Sequence, residues 1–262
     1  MSNEPTLWGL AASGILVAVA VGISLWRHLG LERSMLWASL RALVQLMLIG
    51  SALELIIDPA RPILLSWGWV VLMLLFAGWT SHRRAPEVPG AFVLSLAAYT
   101  TSCLVSLGVL FGFSIFSIEG RTVVPLAGMV IGNSLASTVL VGRRIISELD
   151  EKRDEVEARL ALGMTSTEAG QPYLRAAVRT ALIPQIETTK AVGIVFLPGA
   201  MVGLILAGAE PLSAVRVQLA VMYLILGSVA TTTSVVALGL SRRLFTSDHR
   251  LVRLDAAGDA GA

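Results

Sequence analysis

Charge is scarce in this 262-residue chain: 15% of its residues are Asp, Glu, Lys or Arg, where an average soluble domain has about 25%. That excludes the surface of an ordinary soluble enzyme. Cysteine occurs once, at Cys103 inside an apolar run, so no intrachain disulfide can form and the residue reads as a small buried hydrophobe. The three histidines, His28, His82 and His249, lie far apart beside expected span ends or in the tail and offer no zinc-protease spacing. Lysine occurs only at Lys152 and Lys190, each without a glycine before it, which excludes a P-loop and ATP binding by that route. No G-x-S-x-G elbow is present. The formal charge of +2 leaves no basic surface for nucleic acid.

What the chain has instead is apolar length. With 55% hydrophobic residues, and about 20 apolar residues needed per bilayer span, the runs read as helices near 7–26, 36–57, 63–79, 91–113, 122–142, 190–208 and 217–240. The expected fold is therefore an all-α polytopic membrane protein of about seven transmembrane helices. No Lys or Arg precedes Arg27 and the first run is full span length, so it reads as a retained helix and not as a cleaved signal. Residues 1–245 form one transmembrane domain in this reading, and 246–262 a small, polar tail of disordered composition.

Alternate connections fall on opposite sides of the membrane, and the basic residues separate accordingly. Arg27, Arg33, Arg83, Arg84, the eight in and just after the segment 143–189, and Arg242, Arg243, Arg250 and Arg253 share one side, 16 of the 20 Lys and Arg. Arg61, Arg121 and Arg216 lie on the other, and Arg41 falls within the second span. The positive-inside rule then places the N-terminus outside and the long segment and C-terminus in the cytoplasm, with a bacterial-type inner membrane as the working location.

The segment 143–189 reads as helical. Ile145, Leu149, Val156 and Leu160 form an apolar stripe continuing the fifth span, Gly163 is a helix stop, and Thr165 with Glu168 has the form of a capping box opening a short helix. Pro172 is expected to break that helix. A further helix over 172–183 carries Leu174, Ala177, Val178, Ala181 and Leu182 on one side, with Arg175 and Arg179 as an i, i+4 pair on another.

Polar residues inside spans are costly and turn toward a bundle interior or a water-filled path. Ser34, Arg41 and Gln45 fall on one narrow stripe of the second span. They read either as a lining for an anionic or oxygen-rich substrate or as a snorkelling arginine beside an interhelical amide. Glu54 reads as a cation ligand or as a solvated end. In the fifth span Gly128 and Gly132 make a G-x-x-x-G pair suited to close helix approach, and Asn133 requires a partner on a facing helix or a substrate. In the sixth, Pro198-Gly199 predicts a kink. Met129 and Met201 are thioether candidates for a metal, with packing as the plainer reading.

Six blocks carry a resemblance. Arg41-Ala-Leu-Val-Gln45-Leu with Gly50, Gly128-Met129-Val-Ile-Gly132-Asn133-Ser134, Leu160-Ala-Leu162-Gly163-Met-Thr165, Ala181-Leu-Ile-Pro184, Leu197-Pro198-Gly199-Ala-Met201-Val-Gly203 and Ala207-Gly208-Ala-Glu-Pro211 resemble, in order, the iron-export ABC transporter permease family, which also includes a plant aluminium-tolerance membrane subunit. The resemblance runs from about Arg33 to Leu240. It implies a membrane subunit, itself not an enzyme, that pairs with a separately encoded ABC ATPase, usually two copies of each. A permease homodimer in contact with membrane lipid is thus implied, with no nucleic acid and no cofactor on this chain; ATP and Mg belong to the partner ATPase.

The substrate path expected from the polar and interrupted spans involves Arg41, Gln45, Met129, Asn133, Pro198 and Met201, without assigned metal ligands. The segment with Glu157, Leu160, Leu162, Gly163, Thr165 and Glu168 resembles the EAA loop of ABC importers, which places an ATPase-coupling helix over 165–171. Two departures stand out: Pro184 comes later than in the importer pattern, and Ala200 stands where the permease family usually has a second Met. Three functions are carried forward: iron export, ABC transport of an organic anion such as a nucleotide sugar, which Arg41 suits better than a bare cation, and a gradient-driven carrier without an ATPase.

Overall fold

The structure is a computed structural model that describes residues 7–58, 61–246, 248 and 250–252. Every regular element in it is a helix: α1 (Leu7–Trp26), α2 (Glu32–Ile57), α3 (Ile63–Arg84), α4 (Ala91–Gly112), α5 (Gly120–Glu151), α6 (Arg153–Ala161), α7 (Ser166–Ala191), α8 (Gly199–Leu206) and α9 (Pro211–Leu244). Five of these, α2, α3, α4, α5 and α9, are long and apolar enough to cross a membrane. The protein is an all-α, multi-pass membrane protein. The helices overrun the apolar runs that signalled them, since hydrogen bonding continues into water while the apolar stretch ends at the headgroups: α5 reaches Glu151 where the apolar run stops near 142.

The chain divides into two compact units, residues 1–61 and 62–262, and each is described by itself. In the first, α1 and α2 are joined by a tight turn in which Ser24 Oγ donates to Glu32 Oε1 (2.8 Å) and accepts from the Leu31 N–H (3.3 Å). Ser24 is the one buried side chain described in this unit.

The second unit holds the core. Small and β-branched side chains let α3, α4, α5 and α9 approach closely, as expected where lipid removes any hydrophobic drive between helices. Val123, Ala127, Val130 and Val229 are fully buried around Tyr99. A hydroxyl seam crosses it: Tyr99 and Ser81 share a hydrogen bond of 2.7 Å, Ser102 donates to the Ser228 carbonyl (3.1 Å), and Ser134 meets Ser228 at 3.4 Å. A second cluster gathers Ile145, Leu149, Val156, Ala169, Ala177, Ala181 and Leu240, all fully buried. Ile145, Leu149, Val156, Ala177 and Ala181 are stripe residues expected from the sequence, while Leu160, Leu174 and Val178 of the same stripes are only partly buried. Cys103 is buried and free, as its apolar surroundings suggest.

Three local expectations are corrected. The run 190–208 is not one spanning helix: α7 ends at Ala191, the backbone turns through Gly193 at φ +86°, and α8 has only eight residues, about 12 Å against a hydrocarbon core of about 30 Å. The kink expected at Pro198 is in fact a full interruption, with Pro198 as the extended residue that precedes α8. Pro172 does not break α7, which runs through both Pro172 and Pro184; each proline removes one hydrogen bond, and Ala169, Ala177 and Ala181 bury the helix firmly enough to tolerate the loss. After α9 the chain turns back, with Thr246 N–H on the Arg250 carbonyl (2.9 Å) and Leu251 buried beside Phe245. His249 and residues 253–262 of the expected tail, Arg253 among them, lie outside the described residues.

Candidate functional site

Two parts of the second unit gather the residues singled out by the sequence. The first is the arm built from the end of α5, α6 and the start of α7. α5 stops at Glu151 and α6 restarts at Arg153, so the predicted continuous stripe is bent at Lys152, yet both halves face the same core: Ile145 and Leu149 before the bend, Val156 after it, and Leu160 half-buried.

Polar contacts fix the outer surface of the arm. Tyr173 donates its hydroxyl to Glu155 Oε2 (2.9 Å), Arg159 lies 5.5 Å from the Tyr173 ring centre, and Arg153 pairs with Glu157 at 2.8 Å while also donating to the Leu251 carbonyl (3.3 Å). The Tyr173 hydrogen bond draws the Glu155 carboxyl below its ordinary pKa. Desolvation, with the Glu155 carboxylate alongside, raises that of Tyr173.

At the tip, Gly163 sits at φ +87°, a conformation that costs an L side chain about 1–2 kcal/mol. The Met164 N–H reaches back to the Arg159 carbonyl (3.2 Å), closing α6. The predicted capping box is present: Glu168 N–H donates to Thr165 Oγ1 (3.3 Å) and Thr165 N–H to Glu168 Oε2 (2.9 Å). That backbone N–H lowers the Glu168 pKa. The helix it opens is the 26-residue α7 and not a short one. Between the two helix ends Leu162 projects with 81% of its surface exposed, and Met164 with 42%. The arm is thus a rigid, well-capped hairpin with an apolar tip.

The second part is a pocket of about 410 Å³ between α5, α8 and α9, lined by Arg121, Thr122, Met129, Ala200, Gly203 and Val221 among others. Met129 reaches it; Pro198 and Met201 belong to α8 and its lead-in but do not line it. Asn133 is exposed and bonds its own helix, donating to the Met129 carbonyl (2.8 Å), so the facing-helix partner expected for it is replaced by one a turn away. The G-x-x-x-G pair divides: a Cβ on Gly128 would lie 3.2 Å from Met73 of α3, while Gly132 faces open space. Gly132 and Asn133 therefore mark an exposed strip of α5. Arg41 and Gln45 lie on α2 in the first unit, exposed there, as does Glu54.

The pocket carries no carboxylate, and among the described residues no group of three His, Cys, Asp or Glu side chains could hold a metal. Arg121 and Gly203 went unnoticed as pocket residues in the sequence, since only the return of the chain through α8 brings them together. Gly170 carried a readable signal that was missed: a glycine inside a helix, where a Cβ would lie 3.0 Å from the Phe245 ring.

Comparison with known proteins gives consistent results. An uncharacterised protein family, UPF0014, matches residues 7–245. The chain is similar to the probable iron export permease protein FetB of Escherichia coli (strain K12), with 34% identity over 258 residues that cover 96% of each chain. It is also similar to the UPF0014 membrane protein STAR2 of Oryza sativa subsp. japonica, 35% identical over 86% of this chain and 79% of the relative. The protein ALUMINUM SENSITIVE 3 of Arabidopsis thaliana is 34% identical over 86% and 82%. No solved structure matches.

Proposed function

The chain belongs to the UPF0014 family of membrane proteins, and from that premise we propose that it is the permease subunit of an ABC transporter that exports iron, driven by ATP hydrolysis on a separate subunit. The observation that carries the reading is the arm. A hairpin capped at both helix ends presents Leu162, 81% exposed, on a stalk whose base is fully buried, which is the form needed to receive a push and pass it to α5 and α9. Similarity over 96% of both chains to a probable iron export permease supports the substrate. In this reading the arm lies in the cytoplasm, two permeases pair, and ATP and Mg stay with the partner.

Closure of the ATPase would move the tip. Because Val156, Ala169 and Ala177 bury the arm against Ile145, Leu149 and Leu240, displacement passes as a rigid-body shift to α5 and α9, whose far ends wall the pocket under α8. Met129, Asn133 and the interrupted segment before Pro198 then change their exposure together.

Co-expression with candidate ATPases and co-purification tests this. Leu162→Asp places a charge on the exposed tip and is expected to lower ATPase recovery about tenfold, the loss of one anchoring apolar contact, without lowering membrane insertion. Equal recovery with both proteins would overturn the coupling role.

One observation favours the second reading, an organic anion. Arg121 stands at a pocket without carboxylates, and a guanidinium suits phosphate or carboxylate better than it suits a bare metal ion. Cellular iron against sugar-nucleotide release in a deletion strain separates the two.

A further inference from the structure

A groove of about 850 Å³ runs between α7 and α9, on the face of α7 away from its buried alanines. Its floor is apolar, with half-buried Leu174, Val178 and Leu182, and its rim carries the 64% exposed Leu238. One wall is cationic: Arg175 and Arg179, a helical turn apart, both line it and both are exposed. Neither belongs to any ion pair of the described residues. The one acid of the groove, Glu187, is already taken by Lys190 at 2.9 Å. The groove is therefore apolar along its length, positive at the middle of its α7 wall, and neutral at the end where Glu187 and Lys190 pair.

We propose that this groove binds an anionic phospholipid, its phosphodiester held by Arg175 and Arg179 and an acyl chain lying along Leu174, Val178, Leu182 and Leu238. Two guanidinia at i, i+4 repel each other, and an anion between them turns that repulsion into two charge-assisted hydrogen bonds. The position suits the ligand. Gly170 of α7 packs against Phe245 after α9, so Arg175 and Arg179, about one to three turns further along α7, lie toward the end of α9 that carries Arg242 and Arg243, of which Arg243 donates to the Pro89 carbonyl. Basic pockets between helices at a cytoplasmic surface are where anionic headgroups accumulate. A second copy of the chain fits less well, because an isologous contact centred on this pair would bring four like charges together. The proposal is independent of the transported substrate.

Native mass spectrometry of the full chain in neutral detergent, titrated with phosphatidylglycerol or phosphatidylcholine, tests it. The expected result is preferential retention of phosphatidylglycerol, with affinity lowered about tenfold in Arg175→Gln/Arg179→Gln and weak phosphatidylcholine binding left unchanged. The charge-matched Arg33→Gln/Arg61→Gln keeps wild-type affinity, excess inorganic phosphate does not displace the lipid, and Leu238→Ser weakens it as well. All these side chains are exposed, and an unchanged thermal midpoint confirms that each variant is folded. Unchanged phosphatidylglycerol affinity in the arginine double variant overturns the proposal. So does equal loss in the charge-matched control, displacement by phosphate alone, or a change of oligomeric state with lipid binding untouched.

Discussion

The two ends of the second unit are built on opposite plans. At the arm end, α5, α6, α7 and α9 interlock: Ile145, Leu149, Val156, Ala169 and Leu240 have no exposed surface, and Thr165 and Glu168 close their cap reciprocally. At the α8 end the short helix buries none of its residues. It is entered after Gly193 at φ +86° and left through Gly208 at φ +90°. Contact density sets local stability, so the arm end moves as a piece and the α8 end yields first. In the function proposed above, that division lets a push on the arm reach α5 and α9 as a unit.

The contrast can be broken or sharpened by substitution. The largest effect is expected from Leu149→Ala, which leaves a cavity in the arm core and should destabilise by about 3 kcal/mol. Leu204→Ala in α8 should cost under about 1 kcal/mol, because its site is half-open. Chemical unfolding in micelles measures both, and equal losses would erase the distinction.

Next comes Gly163→Ala, which forces a side chain into the left-handed turn at the tip and should cost about 1–2 kcal/mol. Gly132→Ala, in a helix with open space beside it, should be neutral or stabilising by up to about 1 kcal/mol. The same unfolding assay reads the difference in sign.

The smallest effect concerns the cap. Thr165→Ala should weaken the start of α7 by about 1 kcal/mol. Because the Glu168 pKa is lowered from 4.5 in the folded state, its contribution is present in full above that value and lost as pH falls through the lowered one. The protection of the first turn of α7 against hydrogen exchange, corrected for the intrinsic pH dependence, should therefore fall in acid for the wild type and stay level for Glu168→Gln. An identical acid response in both would remove the carboxylate from the cap.

Much of this was legible in the chain itself. The arm stripe could be read because helical periodicity and burial coincide at Ile145, Leu149 and Val156, and the cap because Thr165 and Glu168 satisfy neighbouring backbone groups without outside help. The interruption after Ala191 was not legible. An apolar run from 190 to 208 has the same composition whether it spans as one helix or turns back as α8, since hydropathy carries no direction. The partner of Asn133 was missed for a related reason: a polar side chain in a span must be satisfied, but the sequence does not say whether by a neighbour or by its own helix. The pocket joins Arg121 and Met129 of α5 to Gly203 of α8, and no local pattern connects them.

The amino-acid sequence by itself determined the class of molecule and the form of its arm. Apolar run length, scarce charge and capping chemistry act through local free energies that hold wherever the chain folds. Tertiary structure alone decided where the apolar run 190–208 is interrupted, which face of α5 stays open and how α7 and α9 enclose a charged groove. Those features depend on which helices come to lie side by side, and that is set by the packing of the whole bundle.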